Sequence, residues 1–295
     1  MLPLRRTRTA FCGAFVAAVF ALMVSHAAAQ TDPPDIPAVT PPPTEAELNL
    51  INLPTTRSLN RHQSYFRLTH RFARDLRRGD FGDLASDLFS LDSGAVIGVE
   101  YRFAVTGTLH AGVNRSMLSK TIQTFVRWDA LRQGETLPVS LSVTGSVEGL
   151  NNMRQKYQPA LAITASRTFG DSLALYATPA FVARTHAVDF IAGHDDHDVG
   201  LPEEDVHATH DDTWLLGLGA RVRFSRSGYI VGEYAPRVGG YDPNRGVWGV
   251  AIEKRTDGHT LQLNFTNAFG TTLGQIARGG STHDIYLGFN ISRRF

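Results

Sequence analysis

His283-Asp284-Ile285-Tyr286-Leu287-Gly288-Phe289-Asn290-Ile291-Ser292-Arg293-Arg294-Phe295 ends the chain, and it alternates. Ile285, Leu287, Phe289 and Ile291 fall on one side; Asp284, Tyr286, Gly288, Asn290 and Ser292 fall on the other. Period two is the spacing of a strand with one apolar and one polar face. Such a strand at the end of a sequence suits a closed sheet. There the last strand pairs with the first, and no polar backbone edge meets lipid.

Working back to Arg61, twelve segments alternate in the same way: 62–73, 94–103, 107–115, 119–132, 137–149, 157–169, 172–184, 212–225, 228–237, 246–256, 259–268 and 282–295. Val139, Leu141, Val143 and Val147 stand opposite Ser140, Ser142, Thr144 and Ser146. Trp214, Leu216, Leu218, Ala220 and Val222 stand opposite Gly217, Gly219, Arg221 and Arg223. Most segments are long enough to cross an outer membrane at a tilt. Their connections sort by parity. After every second strand comes a tight turn, such as Gly170-Asp171 or Asp257-Gly258. The longest connections, 74–93, 185–211, 238–245 and 269–281, all fall at the other end. The expected fold is therefore all-β: a closed antiparallel transmembrane β-barrel of about twelve strands, with short periplasmic turns and longer outer loops. A secreted sandwich or soluble barrel is the competing reading. It calls for shorter strands and gives no reason for loops to alternate in length.

Composition agrees with a barrel. The 295 residues are 42% hydrophobic, and mean hydropathy is −0.14. That is too polar for a bundle of membrane helices but suits strands of which alternate residues touch lipid. The start reads as an export signal over 1–29: Arg5, Arg6 and Arg8, an apolar run from Phe11 to Val24, and small residues at Ala27-Ala28-Ala29. The single cysteine, Cys12, leaves with it, which excludes disulfides, thiolate metal sites and cysteine catalysis. Residues 30–60, rich in proline, read as a periplasmic linker, and 61–295 as the barrel.

If the apolar side faces lipid, the opposite side lines a lumen. It holds Arg67, Arg71, Glu100, Arg102, His110, Arg127, Asp129, Glu148, Arg221, Arg223, Glu233, Arg237, Glu253 and Arg255. On the lipid face each charge would cost about 2–4 kcal/mol near the midplane. Twelve strands at about 4.8 Å spacing and a tilt near 40° give a backbone diameter of roughly 24 Å. Two readings stay open. The charges either pair into a polar filling or line a passage for anionic solutes. Without the signal, 26 basic residues face 28 acidic ones; loop 186–212 alone holds nine of the acids, so the rest is net +7. Only Lys120, Lys156 and Lys254 of those basics are lysine. Arginine suits bidentate pairing and carboxylate or phosphate recognition.

Two loops stand out. His194, Asp196, His197, His207 and His210 form a candidate divalent-metal set in the 186–212 loop, its histidines paired at i, i+3. A solvated acidic loop is the plainer alternative. Phe81, Leu84 and Leu88 recur at helical spacing in the first outer loop. They predict a short amphipathic helix, lying on the membrane interface or folding over the mouth, with core packing as the plainer alternative.

Catalysis has no constellation to stand on. There is no Gly-x-Ser-x-Gly elbow, and no adjacent Ser/His/Asp set stands out. No catalytic residue and no cofactor beyond that metal set is expected. No aromatic-basic cluster argues for nucleic acid; the expected partners are outer-membrane lipid and small solutes.

Ile51-Asn52-Leu53-Pro54-Thr55-Thr56, Tyr65-Phe66-Arg67-Leu68-Thr69-His70-Arg71-Phe72, Gly98-Val99-Glu100-Tyr101 and Glu233-Tyr234-Ala235-Pro236-Arg237 resemble an uncharacterised family of bacterial β-barrel proteins. The closing strand also resembles the terminal strand of outer-membrane barrels, which commonly ends on Phe. Arg293 departs from that pattern. The resemblance spans about Leu53 to Phe295 and implies a barrel in the bacterial outer membrane, reached by export; it transfers no site residues. The function expected is a non-catalytic channel for small, preferentially anionic solutes. The alternative is a closed structural or surface-binding barrel whose outer loop binds metal or a partner.

Overall fold

A computed structural model describes residues 44–92, 94–134, 136–185, 211–240 and 246–295. The signal at 1–29, residues 30–43 and the whole His194–His210 metal set lie outside the described residues. Thirteen strands form one antiparallel sheet: β1 (Ser64–Phe72), β2 (Ala95–Ala104), β3 (Leu109–Ser116), β4 (Thr121–Leu131), β5 (Ser140–Gly149), β6 (Gln155–Phe169), β7 (Leu173–Thr185), β8 (Asp211–Arg223), β9 (Gly228–Ala235), β10 (Arg237–Gly240), β11 (Val247–Arg255), β12 (His259–Thr266) and β13 (Tyr286–Arg294). Consecutive strands pair, except that β10 pairs only with β8 while β9 pairs with β8 and β11, and β13 pairs with β1 from Tyr65↔Arg294 to Arg71↔Gly288. The sheet is thus closed. The seam is sealed at its end by two backbone hydrogen bonds, Phe295 N–H to Ser64 O at 2.9 Å and Ser64 N–H to Phe295 O at 3.2 Å.

The twelve segments read from the sequence are the strands found, with one refinement. The ninth is split at Pro236 into β9 and β10, both on β8. Proline has no N–H for the ladder. Its carbonyl still accepts from Leu216 at 3.0 Å, but the register slips between Arg237 and Gly239.

Burial is inverted relative to a soluble core. Arg71, Arg127 and Arg221 are among the largest fully buried side chains, whereas Trp128, Trp214 and Ile252 are 54%, 55% and 62% exposed. A chain folding in water would not choose this arrangement; one facing hydrocarbon has no cheaper one. The exposed aromatics gather near both ends of the strands. Trp128, Phe169 and Phe224 sit toward the short-turn end, and Trp214 toward the long-loop end.

The first long loop carries helix α1 (Phe81–Ser86), started by a capping box in which Asp80 accepts from the Asp83 N–H and Asp83 accepts from the Asp80 N–H. The helical spacing predicted it. None of its residues is buried, however, and Phe81 is 74% exposed, so core packing does not hold. The last long loop carries α2 (Leu273–Ala277), every residue of which is buried.

Candidate functional site

The interior is occupied by the chain itself. Residues 44–59 belong to the stretch read as a periplasmic linker, yet they contact inward residues of β1, β4, β6, β8, β9, β12 and β13. The physical reason lies in Leu48, Leu50, Ile51, Leu53 and Leu59, which are 0–2% exposed. Burying each is worth about 1.5–3 kcal/mol, which no solvated linker collects. Leu48 to Thr55 form a tight hairpin, closed by Leu50 N–H to Leu53 O (2.8 Å) and Thr55 N–H to Leu48 O (3.0 Å). Its apolar tip needs close approach to the wall. A Cβ at Gly249 would stand 2.9 Å from Ile51, and one at Gly217 2.9 Å from Leu53.

The hairpin tip is fastened by charge. The N–H groups of Ile51, Asn52 and Leu53 all donate to the Glu233 carboxylate at 2.9–3.0 Å, and the Asn52 side chain adds a fourth donor at 2.9 Å. The tip carbonyls are taken up in turn. Arg221 donates to Asn49 O (2.8 Å), Gln262 to Leu50 O (2.9 Å), and Arg67 and Asn290 to Ile51 O. Arg71 donates to Asn52 Oδ1 at 3.0 Å. Buried charged donors and acceptors of this kind bond more strongly than neutral ones. Lower down, the Glu47 carboxylate accepts from Ser292 Oγ at 2.6 Å and from the Leu48 N–H at 2.7 Å. Burial pushes the Glu47 pKa up. The charge of Arg294 and these hydrogen bonds outweigh it and hold the group below its ordinary 4.5.

A second stopper enters from the long-loop end. Thr272 caps α2 by accepting from the Gln275 N–H, and its hydroxyl donates to Glu148 at 2.5 Å. Arg278 donates to Glu148 at 3.0 Å and to Gln158. Between α2, the hairpin and the β2–β5 wall lies a cavity of about 50 Å³. Glu100, Arg102, Asn114, Gln123 and Arg127 line it. Arg102 spends Nε and Nη2 on Glu100, and Arg127 spends Nε on Asp129. Nη1 of Arg102 and both Nη atoms of Arg127 are buried with no protein partner.

Residues 46–295 match the family model described as a membrane bound beta barrel domain (DUF5777). The chain belongs to that family. Among curated proteins none matches it. Among solved structures the DUF5777 barrel is similar to the KdgM porin (8% identity, TM-score 0.46, 79% of this chain and 99% of that one). It is also similar to the NanC porin (6%, 0.44, 78% and 97%). A third is an outer membrane channel from Pseudomonas putida F1 (10%, 0.44, 90% and 100%).

Within the DUF5777 barrel, Arg67, Arg71, Glu100, Arg102, Arg127, Asp129, Arg221, Glu233 and Glu253 are all buried and turned inward. Arg67–Glu100 (3.6 Å) and Arg221–Glu253 (3.2 Å) pair across strands. Arg102–Glu100 (2.6 Å) and Arg127–Asp129 (2.7 Å) pair along one. Arg223 is not part of this group; it binds the carbonyls of Ser225 and Arg226 in its own turn. Arg237 sits beyond Pro236 and donates to Arg278 O, and Arg255 lies at the short-turn end. The sequence reading missed Glu47, Asn52, Thr272 and Arg278. Four apolar residues within the six of Leu48–Leu53 were the available signal for the hairpin. Among the described residues no group of His, Asp and Glu is arranged to hold a metal ion.

Proposed function

We propose that this barrel is a passive channel of the bacterial outer membrane for small anionic solutes, closed in this conformation by its own residues 44–59 and by α2. One observation carries the reading: the unpaired guanidinium N–H groups of Arg102 and Arg127 border a small polar cavity beside the hairpin, along β2–β5. The hairpin tip is fastened to the opposite side, through Arg67, Arg71, Arg221, Glu233, Gln262 and Asn290. The wall is thus divided. One part grips the hairpin tip, and the other keeps free cationic donors where an anion would pass.

Planar-bilayer conductance tests this. The intact chain should give a small, anion-selective conductance. Deleting 44–59 should raise it several-fold, and Arg102→Gln with Arg127→Gln should remove the anion preference. Silence from the deletion variant would overturn the channel.

A closed surface-binding barrel is the second reading, favoured by how completely the hairpin is bonded. Under it His194, Asp196, His197, His207 and His210 bind a divalent metal. Zn²⁺ calorimetry on the intact chain, against a variant lacking 190–210, separates the two readings.

A further inference from the structure

A larger pocket, about 250 Å³, opens at the short-turn end between the base of the hairpin, the β11–β12 turn and the last strand. Its walls bring together cations from three separate parts of the chain. Arg57 comes from the segment below the hairpin, Arg255 from the end of β11, and Arg294 from the end of β13. Arg293, next in sequence, also borders the pocket, with its guanidinium over the Phe295 ring at 4.9 Å. Two acids line the pocket beside them: buried Glu47, which feels the charge of Arg294 and also accepts from Ser292 and Leu48, and Asp257, exposed at the turn. Nε of Arg57 and Nη1 of Arg294 are buried with no protein partner. Burial chiefly pulls the Arg57 guanidinium down from 12.5 to about 9; the charges of Arg294 and Arg255 add to that fall, and those of Glu47 and Glu45 oppose it.

Like charges converge at a cost unless something of opposite sign joins them. Guanidinium forks suit tetrahedral and planar oxyanions, which they grip with two parallel N–H bonds. We infer that Arg57, Arg255 and Arg294 form a binding site for a phosphate-class oxyanion, which staples the hairpin segment to the barrel. Arg57 rides on the stopper, while Arg255 and Arg294 belong to the wall. An anion bridging them therefore ties the two together, and its departure leaves three cations that repel. The site is separate from the passage along β2–β5, and its test does not need conductance.

The full chain, folded in discs of neutral lipid, is titrated with inorganic phosphate at low salt in a calorimeter. One site per chain is expected. Arg255→Gln and Arg294→Gln should each weaken it at least about tenfold, the loss of one charge-assisted bond. Arg226→Gln, in the neighbouring turn and outside the pocket, should leave it unchanged. Phosphate should also slow amide hydrogen exchange at 48–55 in the natural chain but not in Arg255→Gln. Repeating the titration in discs of anionic lipid distinguishes the sources of such a group. A lipid headgroup already holding the site makes the titration silent there and only there. Wild-type silence in neutral discs up to tens of millimolar overturns the site. So does equal affinity in the Arg255 and Arg294 variants, provided their strand circular dichroism is intact.

Discussion

Glu233 shows what one side chain does in this interior. Its carboxylate is the common acceptor for three successive backbone N–H groups. Glu233→Ala would leave those donors buried without an acceptor, at about 1–3 kcal/mol each. The amides of Ile51, Asn52 and Leu53 should then exchange about a hundredfold faster, which mass spectrometry of the intact barrel measures. Glu47 gives a second expectation at this scale. Its pKa is depressed in the folded chain, so it stabilises the seated hairpin above 4.5, and that contribution fades as pH falls through the lower folded value. Acidification below pH 4.5 should loosen residues 46–56, and Glu47→Gln should flatten that dependence. Hydrogen exchange between pH 6 and pH 3 checks both. Neither residue was readable in advance as a holder of the hairpin. Glu233 sits on the polar side of a strand like any other luminal charge, and only the three-dimensional path of 51–53 gives it a partner. Arg102 and Arg127 were legible because alternation alone turns them inward.

Elements divide the same way. All twelve strands were readable, since each repeats one apolar position in two and lipid rewards every repeat. Helix α1 was readable from Phe81, Leu84 and Leu88, and of the placements open to it only packing in the core fails. The hairpin at 48–55 was hidden by its surroundings. Prolines at 33, 34, 37, 41–43 and 54 mark a segment that cannot build a ladder, and composition cannot tell an extended tail in water from one packed inside a cylinder. Helix α2 is only five residues, too short for a periodic signal. Its hold on the wall is concentrated at Glu148, which binds both Thr272 and Arg278. Glu148→Ala should therefore release the 269–281 loop while leaving the strands intact. Trypsin should then cut after Arg278, a bond protected in the natural chain, with strand circular dichroism unchanged.

At the scale of the molecule, aromatic residues mark where the barrel meets its surroundings. Trp128 lies toward one end of β4 and Trp214 toward the opposite end of the cylinder, both outward. Indoles favour the interfacial zone of a bilayer over its centre. Variants keeping only Trp128 or only Trp214 should each be quenched more by lipids brominated near the headgroup than by lipids brominated at the chain ends. Equal quenching by the two lipids would mean that the hydrophobic band is not where the exposed side chains put it.

The seam between β1 and β13 has a consequence for how such a molecule is made. Residues 44–59 emerge before any strand, yet the cylinder shuts only when Phe295 reaches Ser64. A finished tube would have to be threaded by its own tail. It is simpler for the growing sheet to wind around that tail as around a spool, with Glu233 and its neighbours taking hold one strand at a time. Removing the spool would then slow the winding, so the segment that obstructs the mature barrel would also be the guide for its assembly.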